Sequence, residues 1–146
     1  VGKDPHLSLT FRNDFLYVPC QNSDLVYVLD RKDLSEVKRL SIPGAHGAGM
    51  ATNGKTFYTT NLPGGGSNGL FAIDTKVNTV IGSGNTPYPI PHNIALNTSS
   101  KKIYVTHSGA TANKVTVYRV SNRHPDPTFI KDITVGNNPF GIAFAK

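Results

Sequence analysis

Apolar and β-branched residues occur in short runs separated by turn-forming residues, and none of the runs sustains a 3.6-residue period. Three segments of the chain repeat the same order of runs. The first holds Pro5-His6-Leu7-Ser8-Leu9, then Phe15-Leu16-Tyr17-Val18-Pro19-Cys20, then Leu25-Val26-Tyr27-Val28-Leu29-Asp30. The second holds Ala45-His46-Gly47-Ala48-Gly49-Met50-Ala51, Thr56-Phe57-Tyr58-Thr59-Thr60-Asn61 and Gly69-Leu70-Phe71-Ala72-Ile73-Asp74. The third holds Pro91-His92-Asn93-Ile94-Ala95-Leu96, Lys102-Ile103-Tyr104-Val105-Thr106-His107 and Lys114-Val115-Thr116-Val117-Tyr118-Arg119. Spacings from the opening histidine to the aligned tyrosine are 11, 12 and 12 residues. A fourth extended run closes each unit: Glu36 to Ile42, Thr79 to Ile81 and Phe129 to Val135.

Between the runs lie turn signals: Arg12-Asn13-Asp14, Asn53-Gly54-Lys55, Asn97-Thr98-Ser99-Ser100 and the glycine-rich stretch from Pro63 to Gly69. Four short strands per unit, recurring every 40 to 48 residues, are the pattern of β-propeller blades. The expected fold is all-β, with blades at about 6–44, 45–90 and 91–138 and the inner strand of a next blade at 139–146. The first inner strand is expected over Leu7 to Phe11. A propeller ring closes with about four to eight blades. Three blades therefore imply either a piece of a longer propeller or a protomer whose ring is completed by other chains.

Composition agrees with strands and turns. Charged residues make up 16% of the 146, against roughly 25% in an ordinary soluble domain, and there are 14 glycines and 10 prolines. That balance excludes a coiled coil, a helical bundle or a disordered tail. No apolar run reaches the ~18 residues of a membrane span, so the chain reads as soluble. The net charge of +6 favours acidic partners. However, Arg31-Lys32 and Lys101-Lys102 are the densest basic pairs, and no aromatic-interleaved basic stripe indicates nucleic acid. One cysteine, Cys20, excludes an internal disulfide and a cysteine-only zinc site.

Ile103-Tyr104-Val105-Thr106-His107 resembles the Tyr-Val-Thr-Asn signature of the YVTN family of seven-bladed propellers, found in bacterial and archaeal surface and periplasmic proteins. Pro91-His92-Asn93-Ile94-Ala95 and Pro139-Phe140-Gly141-Ile142-Ala143 resemble that family's Pro-x-Gly-Ile-Ala opening of the inner strand. Tyr17-Val18-Pro19-Cys20 and Tyr58-Thr59-Thr60-Asn61 depart from the signature. The resemblance covers nearly the whole chain. It implies an exported, surface or periplasmic propeller, and it indicates fold better than function.

In an antiparallel hairpin the start of one strand lies beside the end of the next. This expectation pairs His6 with Cys20, His46 with Asn61 and His92 with His107, on one rim, with neighbouring strands about 4.8 Å apart. Four imidazoles and a thiol on one face suit copper or zinc. The same histidines also suit packing at the channel mouth, with Phe140 in the fourth such place, or contact with another ligand. Asp30 and Asp74 close the third strands as turn caps, a place taken by Arg119 in the third unit. Asn97-Thr98-Ser99 is an N-glycosylation sequon in an expected turn. Gly64-Gly65-Gly66 reads as a hairpin loop, since neither Gly-Lys-Ser/Thr nor a helix follows it. His124-Pro125-Asp126-Pro127 reads as a stiff outer-edge loop.

No Ser-His-Asp order, paired carboxylates or zinc spacing emerges. The expectation is a non-enzymatic, exported scaffold that binds a protein partner or assembles with other propeller-forming chains. One alternative is a copper or zinc site on the His/Cys rim. Another is lactone hydrolysis, because lactonase-type propellers have similar repeats. That reaction calls for acids and arginines converging on the channel, and the repeated channel positions carry none.

Overall fold

A computed structural model describes residues 1–145 other than 11, 13, 65 and 122, with residues 66–68 described through their backbone. Eleven strands follow in order. They are β1 (Phe15–Cys20), β2 (Leu25–Asp30), β3 (Glu36–Ser41), β4 (Ala45–Met50), β5 (Thr56–Asn61) and β6 (Gly66–Asp74). Then come β7 (Thr79–Thr86), β8 (Pro91–Leu96), β9 (Lys102–His107), β10 (Lys114–Arg119) and β11 (Thr128–Thr134). A single 3-10 turn at Gln21–Ser23 is the only helical element among the described residues, and no helix is long and apolar enough to cross a membrane. All ladders are antiparallel, in three sheets ordered β1-β2-β3, β4-β5-β6-β7 and β8-β9-β10-β11.

Period-two alternation divides each run between two faces. Tyr17, Val26 and Val28 of the first sheet point at the second, where they meet Ala45, Ala48, Phe57 and Ile73. Tyr17 stacks on Phe57 with ring centroids 4.8 Å apart and 16° between planes. Its hydroxyl donates to Asn78 Oδ1. Intervening residues Val18, Cys20, Tyr27 and Leu29 form a second cluster on the far face. The second sheet in turn packs Tyr58, Leu70 and Ala72 on Ile94, Ile103, Val105 and Tyr118 of the third. Burial on both faces explains why β2 and β10 read as nearly unbroken apolar runs.

The first strands of the second and third sheets lie closest together, and β4 is accordingly built of small residues. A Cβ on Gly49 would lie 2.6 Å from Ile94 Cγ2, and one on Gly47 would lie 2.1 Å from the His92 carbonyl oxygen. The outermost strands are different in character. β3 exposes Glu36, Lys38 and Arg39, charges that discourage pairing with a further strand.

The structure departs from the expected elements in four places. The run before β1 makes only two isolated bridges, Pro5 with Cys20 and Leu9 with Tyr17, instead of a ladder. Pro5 and Pro19 each lack an amide hydrogen, so two rungs of that ladder cannot form. Phe11, where that run was expected to end, lies outside the described residues, as does Asn13 of the following turn. Pro139 to Phe144 is not a strand, because no neighbouring strand pairs with it; Ser108 Oγ reaches its Pro139 carbonyl at 3.2 Å.

The loop expected from Pro63 to Gly69 is shorter, since β6 begins at Gly66; Gly65 lies outside the described residues. β7 continues to Thr86 where only Thr79 to Ile81 was expected. Its glycines do not end the strand but admit the 124–127 segment: a Cβ on Gly82 would meet Asp126 Oδ1 at 2.1 Å, and one on Gly84 would meet the Pro127 carbonyl at 2.5 Å.

Candidate functional site: the inner-strand mouth

The second and third sheets open at one end of the molecule, where the segment before β1 also lies, and the register there differs from the expected one by a single residue. Cys20, Asn61 and His107 pair with Pro5, Ala45 and Pro91, the residues just before the histidines. Irregularities in the ladder follow, between Ala45 and Ala48 and between Pro91 and Ile94. A shift of one residue turns a side chain to the other face of its sheet. His6, His46 and His92 therefore do not face Cys20, Asn61 and His107. They face one another across the sheets.

The rings form a continuous row. His6 and His46 have centroids 3.7 Å apart, His46 and His92 4.3 Å, and His92 and Phe140 4.0 Å, with interplanar angles of 44°, 57° and 45°. His46 and His92 are buried. His46 Nδ1 donates to Gln21 Oε1 at 3.0 Å, which places the amide of the 3-10 turn over the row. His6 Nε2 lies 3.2 Å from Asp4 Oδ1. His92 Nδ1 is buried with no hydrogen-bond partner. Burial, reinforced by the neighbouring His6 and His92, lowers the pKa of His46 to about 4. Burial and the nearby His6 also lower that of His92. The middle of the row is thus a neutral, ring-packed surface at pH 7.

In the second and third sheets a threonine of the second strand ties the mouth to the next. Gly47 N donates to Thr60 Oγ1 at 2.8 Å, and Thr60 Oγ1 donates to the His92 carbonyl at 3.0 Å. One sheet later the pattern recurs: Asn93 N donates to Thr106 Oγ1 at 3.0 Å, and Thr106 Oγ1 donates to the Phe140 carbonyl at 3.0 Å. Asn93 Nδ2 adds a bond to the same carbonyl at 2.9 Å. In the first sheet Pro19 stands in the threonine's place. There the His6 amide goes to the Pro19 carbonyl at 2.8 Å, within its own sheet.

The other sequence-derived candidates lie away from the row. Cys20 is fully buried beside Val18 and Tyr27, its Sγ directed at the Val18 carbonyl, and burial pushes its thiol pKa up. His107 is buried with both ring nitrogens engaged. A carbonyl only accepts, so Nδ1 donates to Pro89 O at 3.0 Å, and in the neutral ring Nε2 accepts from Thr116 at 2.8 Å. Desolvation favours that neutral form. Asn61 Oδ1 accepts from Gly64 N at 3.3 Å, which makes it a cap of its own hairpin loop.

Asn97 also serves its own turn, accepting from the amides of Lys101 and Lys102 and donating to Ser99 Oγ. Asp30 and Asp74 close their turns by accepting from Lys32 N and Lys76 N, each at 2.7 Å. Among the described residues no group of three or more His, Cys, Asp or Glu side chains is placed to hold a metal ion.

The arrangement of sheets is shared with solved proteins. Hydrazine synthase from Kuenenia stuttgartiensis superposes with a TM-score of 0.76 at 16% identity, over 92% of this chain and 37% of that one. A functionally unknown protein from Desulfotomaculum acetoxidans gives 0.75 at 15%, over 91% and 43%. A putative 6-phosphogluconolactonase from Bacteroides fragilis gives 0.73 at 18%, over 92% and 40%. The three sheets are propeller blades.

At such identities the likeness is one of fold, and the chain spans about two fifths of the length of these structures. No protein-family model and no curated protein matches the sequence. Sequence reasoning missed the inter-blade role of Thr60 and Thr106, although threonine two places after the repeated tyrosine was a visible signal. It also missed Gln21, which only the turn after β1 brings to the row.

Proposed function

We propose that the chain is part of a YVTN-type propeller acting as a non-enzymatic, exported binding or assembly scaffold, with the mouth as its recognition surface. The observation that carries this reading is the row His6–His46–His92–Phe140: one ring from each successive unit, each tilted against the next, with Phe140 60% exposed at its end. The exposed Phe140, backed by the buried histidine rings, offers planar apolar contact area of the kind protein partners use. The two side chains with nucleophilic or acid-base potential next to it, Cys20 and His107, are shut in and hydrogen-bonded. Further blades, from the same protein or from other propeller-forming chains, would continue the row into a ring.

A photo-reactive residue placed at Phe140 is expected to cross-link a partner chain or another propeller segment, while one placed at Lys38 on the outer strand does not. Equal labelling from both positions would overturn the reading. Lactone hydrolysis is a second reading, since one superposable structure is a putative 6-phosphogluconolactonase. The mouth presents histidines and a phenylalanine where that reaction calls for acids and arginines. Turnover of a lactone, abolished by His92→Ala, would favour it over the scaffold.

A further inference from the structure

Strands alternate in direction, so the loops after β8 and after β10 emerge on the face opposite the histidines. There the third blade breaks the pattern of the other two. The last residue of the third strand is Asp30 in the first blade and Asp74 in the second, opposite Phe15 and Thr56 respectively. In the third blade it is Arg119, and the residue directly opposite is Lys102. Like charges facing each other across a ladder are unfavourable. Nothing in the fold neutralises them: among the described residues none of Lys101, Lys102, Arg119 and Arg123 has a carboxylate within ion-pair distance.

Two adjoining hollows open beside this pair, of about 400 and 310 Å³, and both are lined by Lys101 and Ser121. Arg119 completes the cationic side of the first, with His124 beside it, while Arg123, Ser99 and Ser100 line the second. Asp126 is the one acid at the first hollow, and its Oδ1 is turned to the Ser83 amide of the second blade at 3.2 Å.

The loops are held in shape before any ligand arrives. Asn97 Oδ1 accepts from Lys101 N at 3.0 Å and Lys102 N at 2.9 Å. Thr52 N, from the second blade, donates to Ser100 Oγ at 2.7 Å. Ser121 and His124 exchange backbone bonds, at 2.9 and 3.2 Å, and Val120 N ties the two loops together through the Lys101 carbonyl at 3.0 Å. Cations and hydroxyls fixed on such a frame are arranged for an oxyanion.

We propose that the joined hollows bind a small oligoanion carrying neighbouring phosphate or sulfate groups, one seated by Lys101 and Arg119, the next by Lys101, Arg123 and the Ser99–Ser100 hydroxyls. Phosphate esters and sulfated sugars share this chemistry, and the probes separate them: tripolyphosphate in one titration, a trisulfated disaccharide in the other, each followed by amide chemical shifts at low ionic strength. The expected result is saturable one-to-one binding of at least one probe. Shifts should be confined to Ser99–Lys102, Arg119, Ser121, Arg123 and His124, and affinity should fall as salt rises.

The probe that binds tighter identifies the source of the anion. Arg119→Asp, which installs the residue the first two blades carry at this place, is expected to weaken binding roughly tenfold or more, whereas Lys32→Ala, an exposed cation in the first blade, leaves it unchanged. The proposal is overturned if neither probe binds, if shifts spread over all exposed lysines, or if the two variants weaken binding equally.

Discussion

The third blade carries basic side chains at both ends and treats them in opposite ways. At the mouth, His92 and His107 are buried among rings, carbonyls and a hydroxyl, and desolvation keeps them neutral. At the other end Lys101, Lys102, Arg119 and Arg123 stand together with no carboxylate within ion-pair distance among the described residues. The residue classes are similar, and the difference is water. Where the inner strands converge, burial makes charge costly and imidazole serves as a flat packing surface that still carries hydrogen-bonding nitrogens. At the loops after β8 and β10 the side chains stay in water and their charge is retained.

The sharpest way to break the mouth is to fill it. A methyl on Gly47 collides with the His92 carbonyl, a backbone atom, and with Thr60 Oγ1. Gly47→Ala is therefore expected to cost about 3 kcal/mol in urea unfolding, while Arg119→Ala at the opposite end stays within about 0.5 kcal/mol.

Acid attacks the same end by another route. His46 has its folded pKa lowered to about 4 from an ordinary 6.5, so its contribution is fully present above pH 6.5 and is lost as pH falls from there toward 4. The loss is on the order of 2–3 kcal/mol, at about 1.4 kcal/mol per pKa unit. His46→Phe retains a ring and should flatten the unfolding midpoint across that window; parallel curves for the two proteins would show that the row is not what titrates.

Thr106→Val removes the bridge to the Phe140 carbonyl while keeping shape, and about 1–2 kcal/mol should follow from the stranded Asn93 amide and the lost acceptor bond. Thr106→Ser should restore most of it. The smallest effect is expected at the charged end. Arg119→Asp should stabilise the fold by about 0.5 kcal/mol in low salt by converting a like-charge pair into an attractive one, and the gain should vanish in concentrated salt. Together these changes separate an end limited by packing from one limited by charge.

The fold was legible because three copies of one pattern reinforce each other: a tyrosine recurs 11 or 12 residues after a histidine in every unit. Less of the mouth was legible. That histidines open successive units is plain in the sequence. Which side chains they meet depends on the ladder irregularity after Ala45 and Pro91, which has no signature beyond the small Gly47 and the bonded Asn93. The long β7 was hidden because Gly82 and Gly84 look like turn residues, when their role is to let Asp126 and Pro127 approach. The opposed Lys102 and Arg119 lie 17 positions apart in the sequence and become neighbours only through the β9–β10 register.

The threonine bridge has a direction. Its hydroxyl always belongs to the earlier blade and its carbonyl to the opening of the later one, Thr60 to His92 and Thr106 to Phe140. The second and third blades thus each present a hydroxyl socket to the first residues of the unit that follows them. The first blade, with Pro19 in that place, lacks the socket, so the second blade is held to it by side-chain packing. From the second blade onward, successive units are thereby linked head to tail, the donor always one unit behind the acceptor.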